Sequence, residues 1–315
     1  MDKNNIKIEN LNVKFVTPFG SVKAVKNLTT TFTANKITGI IGESGSGKSV
    51  MGMAILQLLP ENALINGTCT YKDFNLFKLG PKKMQKICGK EIGLIPQNPN
   101  ASLNPMMKIR NQLKEPLLIH KLMNKKDANN EVNDLLKQFG FHDSSSIGQK
   151  YSFQMSGGMN QRIVSALGLA CKPNWIIADE PTKGLDAIMR NQVYRVLKKI
   201  YSENNCGMIV ITHDLMLAFH LCDEIRVMYS GEIIEQGPCK NVFESPLHPY
   251  TKGLLNALPQ NGMKPVPYGS KNIDDKSSAC AFFNRCPNAN SNCLNKKMEN
   301  FSVSEKRKVR CFNYA

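Results

Sequence analysis

Eight consecutive residues, Gly42-Glu43-Ser44-Gly45-Ser46-Gly47-Lys48-Ser49, have the form G-x-x-x-x-G-K-S. Glycines let a backbone curl so that successive N–H groups point inward at phosphate oxygens. Lys48 is then placed to reach the β- and γ-phosphates of a nucleotide, and the Ser49 hydroxyl to ligate Mg²⁺. Further on, the apolar run Trp175–Ala178 closes on two adjacent acids, Asp179 and Glu180. Asp179 suits holding Mg²⁺ through water, and Glu180 suits orienting or deprotonating a water beside the γ-phosphate. Two more apolar runs, Ile92–Ile95 and Met208–Thr212, lead to Gln97 and His213. A Gln in a Pro-bounded loop can reach a metal or water but is common, and a lone His is more often structural. Three such runs ending in Gln97, Asp179-Glu180 and His213, downstream of a phosphate loop, point to chemistry on a nucleotide. Ser156-Gly157-Gly158 adds a second anion site in kind: Ser156 is a natural N-cap, and the glycines leave first-turn N–H groups unshielded.

The elements around these residues follow from pattern. Ile37–Ile41 is apolar and β-prone, and Val50–Leu59 is helix-competent, so the phosphate loop has a strand–loop–helix setting. Residues 6–16 alternate apolar and polar, as a half-buried strand does; Thr17–Gly20 turns the chain into more strand over Val22–Phe32. Phe15 could stack on adenine or belong to the core. Gly67–Tyr71 reads as a short strand, Lys82–Lys90 as basic and partly helical, and 105–150 as mostly helical. The Ser156-capped helix extends to about Cys171. Pro181–Asp186 turns into a helix over Ala187–Tyr201, and Glu224–Tyr229 with Glu232–Gln236 reads as a hairpin. Pro246–Pro259 is a Pro-bounded helical segment, followed by a Pro/Gly linker and a cysteine-bearing tail.

With 315 residues, 42% of them hydrophobic, the chain can form one large domain or two modest ones. Met1–Asn5 is polar, and no stretch approaches eighteen apolar residues, so a cytoplasmic protein without its own membrane span is expected. The formal charge is +16, and residues 251–315 hold eleven Lys/Arg against four Asp/Glu. That balance suits an anionic membrane surface or nucleic acid, or simply a solvated lysine-rich face; no basic stripe is interleaved with aromatics. Six of the ten cysteines (Cys69, Cys88, Cys171, Cys206, Cys222, Cys239) read as small buried hydrophobes in a reducing compartment. The other four, Cys280, Cys286, Cys293 and Cys311, cluster with gaps of 5, 6 and 17 residues. Structural zinc usually takes close C-x2–4-C pairs, absent here, whereas four thiolates are also the ligand set of a cubane iron–sulfur cluster. The tail is short and polar with little apolar area for a core, and a metal staple is one way to order it. Cluster, zinc and free thiols all stay open.

Taken in order, these motifs resemble the ATP-binding cassette (ABC) ATPases over residues 1 to about 245. Gly42–Ser49 matches their Walker A, Gln97 the Q-loop, and Met155–Met159 with Asn160-Gln161-Arg162 the signature. Asp179 and Glu180 match Walker B and the catalytic glutamate, Asp186 the D-loop, and His213 the switch histidine. Pro96–Pro105, Ser156–Met159 and His248-Pro249-Tyr250-Thr251 with Leu254-Leu255 are similar to the oligopeptide/dipeptide/nickel importer branch. Tyr151–Met155, Asn160 and Gly184 depart from the usual pattern, and none of them removes a group needed for hydrolysis.

The resemblance implies an α/β P-loop NTPase cassette over 1–245. It would have a RecA-like core, an antiparallel β subdomain and a helical signature subdomain at about 100–170, followed by a small Cys-rich extension over 246–315. It implies catalytic roles for Glu180, His213 and Gln97, and nucleotide binding by Phe15, Gly42, Ser44–Ser49 (including Gly45, Ser46, Gly47 and Lys48), Val50, Ser156, Gly157, Gly158 and Asp186. Ser49, Gln97 and Asp179 would serve Mg²⁺, and Cys280, Cys286, Cys293 and Cys311 a [4Fe–4S] cluster. The implied function is an ATPase subunit, peripheral on the cytoplasmic face of the membrane, that powers an importer of oligopeptides or dipeptides; nickel or another metal chelate is the alternative cargo. A second homologous ATPase in a heterodimer, two transmembrane permease subunits and an extracytoplasmic binding protein are the implied partners. A nucleic-acid ABC ATPase is the remote alternative. Such chains insert a long coiled coil between the Walker motifs, and this interval is compact, so no nucleic-acid partner is expected.

Overall fold

The computed structural model describes residues 3–264, 280–296 and 298–314. In chain order the strands are β1 (Ile6–Thr17), β2 (Gly20–Phe32), β3 (Ile37–Ile41), β4 (Ala63–Tyr71), β5 (Phe74–Asn75), β6 (Ile92–Ile95), β7 (Trp175–Asp179), β8 (Gly207–Ile211), β9 (Glu224–Tyr229), β10 (Glu232–Pro238), β11 (Phe301–Ser304) and β12 (Arg307–Val309). They form an antiparallel four-stranded sheet, order β2-β1-β4-β5, and an eight-stranded sheet, order β11-β12-β10-β9-β3-β8-β7-β6. In the larger sheet β6, β7, β8, β3 and β9 run parallel. Every residue of β3, β7 and β8 is buried, which is why these segments read as unbroken apolar runs: a parallel sheet is covered on both faces.

Alternate side chains of those strands enter different cores, as a two-residue period requires. Ile37, Ile41, Ile176, Ala178, Met208 and Val210 face the core shared with the helices after β6. Ile40, Trp175, Ile177, Ile209 and Ile211 face the core shared with the smaller sheet and the helix Lys48–Ile55. The region between β6 and β7 holds helices over Ile109–Ile119, Lys125–Gln138, Ser144–Gln149 and Gly157–Leu169. Among the described residues no helix is long and apolar enough to cross a membrane.

The segment beyond residue 245 continues the cassette's own layers. β12 pairs with β10, Glu235 opposite Val309, and β11 pairs with β12. Glu235 and Arg307, both buried, form an ion pair at 3.0 Å. The other hydrogen bonds to the Glu235 carboxylate come from the backbone N–H of Leu247 (2.9 Å) and His248 (2.8 Å). Phe282, 1% exposed, packs its ring against Tyr229, Tyr250 and His248. The tail, expected to have little apolar area for a core, is seated by one aromatic and two paired strands. Of the six scattered cysteines, Cys69, Cys206, Cys222 and Cys239 are buried as expected, while Cys88 and Cys171 are only half-buried. The helix after the phosphate loop is also shorter than its pattern, ending at Ile55, because Gln57 takes a left-handed φ of 55°.

Candidate nucleotide site

The phosphate loop leaves the C-terminal end of β3, the edge of a parallel sheet where ligands bind. Two of its glycines are required sterically. At Gly42 (φ +150°) a Cβ would lie 2.2 Å from the Met228 carbonyl oxygen, and at Gly47 (φ +97°) 2.4 Å from that of Ala24. Lys48 is buried, and its ammonium donates to the carbonyl oxygens of Gly42 and Glu43, both at 2.8 Å, and to Ser46 Oγ at 3.4 Å. Burial lowers its pKa, opposed by the nearby charges of Glu180, Asp179 and Glu43.

Ser49 Oγ donates to Asp179 Oδ1 at 2.9 Å, bringing the hydroxyl at the start of a helix and the acid at the end of β7 to one point. Burial raises the Asp179 pKa, and the neighbouring Glu180 adds to it, while Ser49, Lys48 and Lys183 pull it down. A hydroxyl and a carboxylate at this separation form an all-oxygen donor set suited to a hard cation such as Mg²⁺. Glu180 is buried with φ +49°, a conformation disfavoured for a non-glycine residue and concentrated at working sites. Its Oε2 lies 2.6 Å from His213 Nδ1, and its backbone N–H donates to the Ile211 carbonyl at 2.8 Å. So the ends of β3, β7 and β8 bring Lys48, Ser49, Asp179, Glu180 and His213 together. Gln97 stands half-buried just past β6, next to β7. Phe15 is half-buried on β1, opposite Val22 and Ala63, and Val50 is half-buried in the helix that follows the loop.

Ser156 caps the helix Gly157–Leu169 by accepting from the Met159 N–H at 3.3 Å, and Ser156 and Gly157 are exposed. Asp186 caps the next long helix by accepting from the Met189 N–H at 2.9 Å and is likewise exposed. Among the described residues no hydrogen bond joins Ser156–Gly158 to Gly42–Ser49. Both caps present their groups outward rather than to this chain's own phosphate loop.

A model of the ABC transporter family matches residues 25–183, and one of the oligopeptide/dipeptide transporter C-terminal region matches 234–293. The chain belongs to the ABC transporter family. It is 37% identical over 295 residues to the oligopeptide transport ATP-binding protein OppD of Salmonella typhimurium, covering 92% of this chain and 88% of that one. To the dipeptide transport ATP-binding protein DppD of Bacillus subtilis it is 39% identical over 290 residues, covering 90% and 87%. The dimeric post-hydrolysis structure of the ATP-binding cassette MJ0796, bound to ADP and Pi, superposes with a TM-score of 0.67 at 25% identity, over 74% of this chain and 98% of that one. This family member thus has the cassette fold and the nucleotide-hydrolysing machinery of an ABC ATPase.

Cys293 and Cys311 are buried, Cys280 and Cys286 half-buried, and the Cys280 N–H donates to the Cys293 carbonyl at 2.8 Å. Burial pushes the Cys280 thiol up to about 12, with Cys293, Cys286 and Cys311 adding to it. The four thiols gather, yet among the described residues no group of three or more His, Cys, Asp or Glu side chains is arranged to hold a metal ion. Cys280, Cys286, Cys293 and Cys311 are the residues that would hold the expected [4Fe–4S] cluster; in this structure aromatic packing and strand pairing order the segment around them.

Two features escape sequence reasoning. Glu43, read only as a variable position of the loop, bonds to Tyr250 and Arg285, 207 and 242 residues away. Asn160, read as a departure from the signature, is buried and donates to Asn100 Oδ1 at 3.1 Å and to the Ser152 carbonyl at 3.0 Å, tying the signature helix to the segment after Gln97. Pairs so distant leave no local signal.

Proposed function

We propose that this chain is the ATP-hydrolysing subunit of a binding-protein-dependent importer of oligopeptides or dipeptides. The single observation that carries it is the convergence of Lys48, Ser49, Asp179, Glu180 and His213 in a chain whose relatives are named for oligopeptide and dipeptide transport. The loop amides and Lys48 bind the phosphates. Ser49 and Asp179, with Gln97 alongside, would hold Mg²⁺, which would supply charge neutralisation at the phosphates. Glu180 orients a water and takes its proton, while His213, 2.6 Å away, holds the carboxylate and faces the γ-phosphate. Phe15 supplies a ring for adenine.

The outward-facing caps at Ser156 and Asp186 support pairing with a second, homologous ATPase whose nucleotide would meet Ser156–Gly158. ATP then joins the subunits, and loss of the γ-phosphate releases them. Two permease subunits and an extracytoplasmic binding protein complete the assembly, with this chain on the cytoplasmic face. A [4Fe–4S] cluster on Cys280, Cys286, Cys293 and Cys311 is a finer proposal: the described side chains as they stand are not set for a metal, but four thiols are the ligand number a cubane takes, and the Cys280 N–H bonded to the Cys293 carbonyl at 2.8 Å brings two of them together. Iron and sulfide analysis of anoxically purified protein checks it, and one zinc per chain, or neither iron nor sulfide, rejects it.

The function is tested on the complex isolated from native membranes without oxygen and reconstituted in liposomes with its binding protein. Peptide-stimulated ATP hydrolysis is expected. Hydrolysis indifferent to peptides would move the cargo to nickel or another chelate, and a preparation without membrane partners would remove the importer reading.

A further inference from the structure

We infer that the C-terminal extension positions the phosphate loop, with Arg285 and Tyr250 holding Glu43. Glu43 is the second residue of the loop, and each of its polar groups is engaged. Its carboxylate accepts a two-pronged bond from the Arg285 guanidinium, at 2.9 and 3.0 Å. Its backbone N–H donates to the Tyr250 hydroxyl at 2.8 Å. Its carbonyl accepts from Lys48 Nζ at 2.8 Å and from the Ser46 N–H at 3.2 Å. One residue therefore connects two side chains from beyond residue 245 to the lysine that meets the phosphates.

The contact is unlike a loose surface ion pair. The Arg285 side chain is 10% exposed and that of Glu43 31%. Charged forks of this geometry are directional and stronger than neutral hydrogen bonds, more so out of water. Arg285 also donates to the Tyr229 hydroxyl at 3.3 Å and lies over the Tyr229 and Phe282 rings. Tyr250 is fully buried against the same two rings. The aromatic cluster thus backs both side chains of the clamp. Shifting Glu43 moves a carbonyl to which Lys48 is bonded, so the extension sets how well the loop is formed before nucleotide arrives. Coupling of this kind is reciprocal: bound nucleotide must stabilise the extension's hold as much as that hold strengthens nucleotide binding. Arg285 directly precedes Cys286, so whatever orders the thiol-bearing segment also orders the clamp.

The inference rests on Gly42–Ser49 being the nucleotide site. The test uses the full chain and Mg-ADP binding by calorimetry, which involves no turnover. Arg285→Gln is expected to weaken binding by about threefold to tenfold, and Tyr250→Phe, which deletes one oxygen, by about twofold or more. Asn261→Ala breaks a 2.9 Å bond within the extension, to the Leu255 carbonyl, and is expected to bind as wild type. In the assembled complex Arg285→Gln should raise KM for ATP while leaving kcat within threefold. Wild-type affinity in Arg285→Gln, or equal weakening in Asn261→Ala, would overturn the clamp. Should Arg285→Gln fail to fold, Tyr250→Phe decides by the same criterion, with unchanged affinity refuting the clamp. Failure of the wild-type chain to bind Mg-ADP would instead overturn the nucleotide site itself.

Discussion

Replacing Glu180 by Gln changes one oxygen for an NH₂ at the most constrained point of the site. The residue is buried, holds φ +49°, and donates its backbone N–H to the Ile211 carbonyl. Gln has the same length, so these backbone features persist. With its amide oxygen in the place of Oε2, Gln still accepts from the His213 backbone N–H, now 3.4 Å away, and from His213 Nδ1–H. Fold and nucleotide binding should therefore survive, with affinity within about threefold. What is lost is the proton acceptor. A positioned general base contributes about 10²–10⁴-fold, so the barrier to hydrolysis should rise by ~3–5 kcal/mol. Steady-state phosphate release from the assembled complex reads the rate, and calorimetry on the same preparation reads binding. Turnover within threefold of wild type would remove Glu180 from the role of base. A rate loss matched by loss of ATP affinity would show that the carboxylate's work is structural.

Three further outcomes are expected. Lys48→Ala removes the ammonium that bonds to Gly42, Glu43 and Ser46 and should weaken nucleotide binding by at least about tenfold, or ~1.4 kcal/mol; unchanged affinity by calorimetry counts against it. Glu235→Ala leaves Arg307 as an unpaired buried charge and two backbone N–H groups without acceptors, and should cost about 3–5 kcal/mol in denaturant unfolding; a loss under 1 kcal/mol would contradict the pairing. His248 is 1% exposed, and burial lowers its pKa to about 3 from an ordinary 6.5. The unfolded chain then binds this proton first, so stability is complete above about pH 6.5 and falls toward pH 3 by roughly 1.4 kcal/mol per unit from this group. His248→Asn keeps an acceptor for the Tyr250 N–H, and its unfolding free energy should fall less steeply between pH 6 and 5; parallel slopes would refute the assignment.

The phosphate loop, the paired acids, the switch histidine and the buried strands were legible in the sequence because each is a local signal. Glycine spacing sets a backbone shape, and an apolar run ending in polar residues marks where a buried strand meets the ligand edge. Helices over 105–150 were legible in kind but not in number; they end at Ile119 and Gln138, just before Lys121 and Gly140 take left-handed φ values of 53° and 79°. Tertiary structure alone decided that β12 extends the cassette's sheet beside β10, and that Phe282 seats the tail. It also decided that the four tail thiols gather without forming a metal site among the described residues, and that Glu43 belongs to Tyr250 and Arg285. The reason is the same in each case. A three-residue strand and a single buried arginine carry too little local free energy to announce themselves; Arg307 and Arg285 bond to acids 72 and 242 residues away, and only closing those long loops creates the contact.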